Sequence, residues 1–166
     1  MNTKLKQLAL NSMLLVVALI LSYVESLVPL SLGIPGIKMG LPNIVVLFAL
    51  YQLGWKNACV ISLVRVVLVS ILFGNLFSMV YSLAGAALSL LVMILLKKCG
   101  KFGTAGVSVA GGVAHNAGQI LVAMALLETA EISYYLPVLC VSGTVAGICI
   151  GLAASLLIRR IPEKNL

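Results

Sequence analysis

The chain has 166 residues and no aspartate; its acidic residues are four scattered glutamates, Glu25, Glu128, Glu131 and Glu163. Chemistry that holds a diphosphate through magnesium needs clustered carboxylates, so magnesium-dependent prenyl transfer by this chain alone is not expected. Charge of either sign is sparse, at 9% of residues against 62% hydrophobic. The mean hydropathy of +1.20 is far above that of a soluble core of this size. No G-x-x-x-x-G-K-[ST], G-x-S-x-G or H-E-x-x-H occurs, so no catalytic residue and no cofactor is expected, and the chain is read as a non-enzyme. Cys59, Cys99, Cys140 and Cys149 form no C-x-x-C pair, which points to neither a metal nor a disulfide. A clustered basic face with exposed aromatics is missing too, which argues against a nucleic-acid partner.

What the chain does have is long apolar runs. In lipid every backbone polar group must be paired internally, and the runs lack the period-two alternation of barrel strands. The reading is an all-α integral membrane protein, one domain over 1–166, with six spans at about 8–30, 41–54, 57–73, 77–96, 107–127 and 134–158. The second and third are short and separated only by Gly54, Trp55, Lys56 and Asn57. The alternative there is one kinked or re-entrant segment. Six spans put Lys4, Lys6, Lys56, Lys97, Lys98, Lys101, Arg159, Arg160 and Lys164 on one side and leave the other to Lys38, Glu128 and Glu131. Positive residues stay cytoplasmic, so both termini are expected inside and the net charge of +7 is a topology signal. The N-terminal run is too long for a signal peptide and lacks an A-x-A site, so it is read as the first span.

Within the spans a few residues stand out. Arg65 sits amid the apolar run from Val60 to Phe73, where an arginine costs roughly 2.5–3.5 kcal/mol and usually marks a ligand or ion path. Its guanidinium can hold a carboxylate or phosphate bidentately. The alternative is a buried ion pair with Glu25, the one acidic residue inside a span. Helical spacing stacks Gly111, His115 and Gln119 on one face of the fifth span with Asn116 beside them, either as ligand contacts or as hydrogen bonds between helices. The 31–43 loop, with Lys38 and Asn43, is rich in glycine and proline and reads as a folded-in lid or a plain connector. Asn75, in the next turn on that side, is a candidate for the same pocket mouth. Gly143, Gly147, Gly151 and Ser155 put a small residue at every fourth position of the last span, which lets backbones approach, within this chain or between subunits. Ser78, Ser82, Ala86 and Leu90 repeat the pattern more weakly in the fourth.

Four stretches, Leu41–Trp55, Leu63–Arg65, Leu72–Asn75 and Ser108–Gln119, resemble the small bacterial membrane proteins known as the Gx transporter or heptaprenyl diphosphate synthase component I family. That family is similar to the substrate-binding S components of energy-coupling factor (ECF) transporters. The resemblance implies a six-helix protein of the bacterial cell membrane that binds a small anionic, vitamin-like or isoprenoid-related compound, partnered by a transmembrane coupling subunit and two ATPases. It also implies that Arg65, His115, Asn116 and Gln119 line the solute site under the 31–43 loop. One departure is plain: the Ala-x-x-x-Ala pattern of S-component first helices is absent, Ala9 being followed at that spacing by Met13 and Val17. The synthase name implies instead a non-catalytic membrane component of polyprenyl diphosphate synthesis, in contact with membrane lipid. A structural subunit of a larger membrane complex is the third reading.

Overall fold

The computed structural model describes residues 3–27 and 39–161; Lys38 and most of the 31–43 loop lie outside the described residues. Those residues form helices α1 (Thr3–Leu27), α2 (Asn43–Gln52), α3 (Trp55–Phe73), α4 (Leu76–Cys99), α5 (Thr104–Leu127) and α6 (Leu136–Arg160), with a 3-10 turn at Ala130–Tyr135 before α6. No strand occurs among them.

Five of these helices are long and apolar enough to cross a membrane. The exception is α2, whose ten residues rise about 15 Å, roughly half the hydrocarbon thickness. The stretch 41–54 is therefore not a full span by itself. Local chemistry stops it at both ends. Gly40 (φ +73°) and Pro42 precede it, and Gly54 turns the chain into α3 at φ +86°, a conformation that glycine adopts without strain. Val45 through Leu50 are all buried in α2. A helix that is apolar on every side belongs inside other helices, and α6, α3 and α1 enclose this one.

Polar side chains hold the far end of α2. Lys97 Nζ of α4 donates to the Leu50 carbonyl at 2.6 Å and lies 4.9 Å from the Tyr51 ring centroid. A cation there also complements the negative end of the helix. Gln52 Nε2 donates to the carbonyls of Ile158 (3.1 Å) and Ile161 (2.8 Å), and Asn11 Nδ2 of α1 donates to Asn57 Oδ1 of α3 at 2.9 Å. These bonds bring the starts of α1 and α3 and the ends of α4 and α6 to one side of the bundle. Lys4, Lys6, Lys56, Lys97, Lys98, Arg159 and Arg160 lie at or near those helix ends. The opposite end carries Glu128 and Glu131 in the connection from α5 to α6.

The other half of the molecule is built on glycine. A Cβ on Gly147 would lie 2.6 Å from Val109 Cα, and one on Gly151 would lie 2.6 Å from Ala105 Cα, both on α5. Gly112 of α5 would similarly meet the Gly143 carbonyl at 2.6 Å. On the other side of α5, Gly118 abuts the Ala84 carbonyl of α4, and Gly85 of α4 abuts the His115 carbonyl. Where no hydrophobic force separates helix from lipid, such backbone approach is what drives association. Outward, large apolar side chains such as Leu8, Ile20, Ile71, Leu121 and Val141 are exposed, a surface suited to lipid and not to water. Trp55 near the basic end and Tyr134 and Tyr135 near the other are exposed as well, the levels where amphipathic rings sit at a membrane interface.

Candidate functional site

Because α2 is short, the bundle is not filled along its whole length. A cavity of about 230 Å³ adjoins Gly40, Pro42 and Asn43 at its N-terminal end and is walled by α1, α3, α4, α5 and α6. Arg65 reaches it from α3, Glu25 from α1, and His115, Asn116 and Gln119 from α5. Residues far apart in the chain thus share one internal space.

Arg65 is the unusual member. Its Nε is buried and has no hydrogen-bond partner, a state that costs on the order of 1–3 kcal/mol, more for a charged group. Glu25 influences Arg65 electrostatically, but its carboxylate is engaged elsewhere: Oε1 accepts the Gly40 N–H at 2.6 Å. That bond sets a negative charge at the entrance to α2, where the positive end of the helix favours it. Arg65 therefore faces the cavity with no salt bridge among the described residues, beside a carboxylate that is holding the backbone.

The remaining candidates divide. Gln119 and His115 line the cavity, and Gly85 packs against both, since a Cβ there would lie 2.9 Å from Gln119 Cγ and 3.0 Å from His115 Cε1. The α4–α5 contact thereby fixes where these two side chains sit. Asn116 borders the cavity but donates from Nδ2 to the Leu139 carbonyl of α6 at 2.5 Å, so its amide ties two helices together. Asn75 lies apart, at the N-cap of α4, where its Oδ1 accepts the Ser78 N–H at 2.8 Å. Asn43 lines the cavity at the start of α2, and Lys38 is outside the described residues. Gly143 and Gly147 serve both purposes, packing on α5 and bordering the cavity, whereas Ser155 turns its hydroxyl to the Leu152 carbonyl of its own helix at 2.8 Å.

Ser70 and Ser89 do not stand out in the sequence, and Ser82 reads there only as a packing position. Ser70 of α3 and Ser82 and Ser89 of α4 line the cavity, and their hydroxyls make no hydrogen bond within the described residues. The spacing Ser78, Ser82, Ser89 marks one helical face, but small residues on a membrane helix read equally well as packing, and only the neighbouring helices tell the two apart.

A bundle of long apolar helices around an internal cavity that carries several polar side chains defines a multi-pass membrane protein. The chain belongs to the heptaprenyl diphosphate synthase component I family, whose model matches residues 14–157. No curated protein and no solved structure matches it.

Proposed function

We propose that this protein is the substrate-binding membrane subunit of an ECF-type transporter, taking a small anionic compound into the cavity beside α2. The observation that carries this reading is Arg65, whose buried Nε has no hydrogen-bond partner among the described residues and which lines a cavity inside a largely apolar bundle. Burying it costs stability that the nearby Glu25 charge only partly offsets, while a ligand carboxylate or phosphate would supply the missing acceptor. The chain contains no nucleotide-binding motif, so energy would come from a coupling subunit and its two ATPases. With the basic end cytoplasmic, the hydrogen-bonded end of α2 closes the cavity from the inside and the solute enters from outside.

A second reading is favoured by the family's own description: a non-catalytic membrane component of polyprenyl diphosphate synthesis, with Arg65 meeting a lipid diphosphate. The absence of aspartate leaves catalysis to a partner in that case. Native mass spectrometry of wild type and Arg65→Ala in mild detergent tests both. A specific small molecule retained by wild type and lost in the variant is the expected result. An isoprenoid diphosphate as that molecule would favour the second reading, and an equal absence of ligand from two well-folded proteins would remove Arg65 from any binding role.

A further inference from the structure

The cavity's charge and size narrow what it accepts, given the reading of Arg65 as an anion site. Among the described residues that line it, Arg65 is the one permanent cation and Glu25 the one anion. Lys97 is held at the other end of α2, donating to the Leu50 carbonyl. The N-terminal end of α2 adds about +0.5 charge. Arginine, helix end and glutamate together leave the empty cavity only slightly positive. The excess is about half a charge, so one added negative charge is the most it comes near to neutralising. A second or third would remain unneutralised in a low-dielectric interior, where like charges repel strongly, and a lone carboxylate offers a magnesium ion no cluster of ligands to shield them.

Volume points the same way. At roughly 30 Å³ per water molecule in the liquid, a cavity of about 230 Å³ holds about eight waters, or about a dozen ligand heavy atoms. Ser70, Ser82, Ser89 and Gln119 line this space. Each is both donor and acceptor, which suits a ligand bearing hydroxyl or amide groups.

We infer that the cavity selects a small hydroxylated or amide-bearing monocarboxylate, with Arg65 gripping the carboxylate and Glu25 acting as the specificity residue that repels a second negative charge. Glu25 can hold this role because its bond to the Gly40 N–H fixes the carboxylate at the cavity wall.

The test measures binding of lactate, glycerate, gluconate, malate and inorganic pyrophosphate to the purified full chain in nanodiscs, by isothermal titration. Wild type, Arg65→Ala, Arg65→Lys and Glu25→Gln are compared, the lysine variant retaining the charge if the alanine variant folds poorly. The expected result is that a monocarboxylate binds wild type at least tenfold more tightly than malate or pyrophosphate. This binding is lost in Arg65→Ala and weakened in Arg65→Lys. In Glu25→Gln the preference for one charge over two falls by about tenfold. Arg65-dependent binding of pyrophosphate or malate as tight as that of any monocarboxylate would overturn the inference while leaving Arg65 an anion site. An unchanged preference in Glu25→Gln would remove the specificity role. If no probe binds in an Arg65-dependent way, the anion-site reading falls, and the inference with it.

Discussion

The two halves of the bundle are held together by different means. Helices α4, α5 and α6 meet backbone to backbone through Gly85, Gly112, Gly118, Gly143, Gly147 and Gly151. Helices α1, α2 and α3 meet through larger side chains such as Leu14, Leu21, Val46, Leu50 and Ile61, and through a few polar bonds, among them Asn11 to Asn57 and Gln52 to the end of α6. The first arrangement has no slack, because two backbones in contact have nothing to rearrange. The second packs side chain against side chain, which can repack, and the cavity lies where it meets the first. The proposed binding role would draw on both: a close-packed wall that positions His115 and Gln119, and a neighbouring space for a solute.

Substitutions can break that contrast. The largest expected effect is on the glycine side: Gly147→Val should lower unfolding free energy by about 3 kcal/mol or more, because the new side chain meets the Val109 backbone, which cannot move aside as a side chain can. Denaturation in detergent, compared with Val60→Leu on an exposed face of α3 as a near-neutral control, measures it. If Gly147→Val were as mild as the control, the rigid-wall account would be wrong.

On the looser side the effects should be graded and smaller. Gly54→Ala should cost about 1–3 kcal/mol. Nothing lies within 4 Å of the new methyl, so the whole effect comes from the backbone at φ +86° and ψ 170°, a region that only glycine adopts readily. A cost well above that, in the same assay, would mean that the α2–α3 turn is packed more tightly than its surroundings indicate. Lys97→Met leaves the Leu50 carbonyl without its donor and the end of α2 without its cation, at an expected cost of about 1–2 kcal/mol. The same denaturation assay reads this, and faster hydrogen exchange confined to the end of α2 would locate it.

Much of this arrangement is legible in the sequence, for identifiable reasons. Helix ends for α3 to α6 fall within a few residues of the expected spans, since lipid demands a long uncharged run and the run is visible. The Gly143–Gly151 face is visible because helical spacing is regular. The short α2 was harder: Leu41–Leu53 looks like a span that is merely brief, and its enclosure by α1, α3 and α6 depends on partners far along the chain. Asn75 illustrates another limit. A polar residue at a turn between spans fits a pocket mouth or a helix cap equally well, and the cap is set by a backbone N–H three residues on.

The sequence by itself determined the class of environment, the helices, the side that collects basic charge, and the presence of an arginine too costly to be incidental. Composition and periodicity act locally, and the bilayer imposes the same rules on every segment. The tertiary structure alone decided that α2 stops short and leaves a cavity. It also decided that Glu25 binds the Gly40 backbone instead of pairing with Arg65, and that Asn116 joins two helices while the serines line the open space. Each of these depends on which surfaces meet across distant parts of the chain, and that is settled when the whole bundle packs.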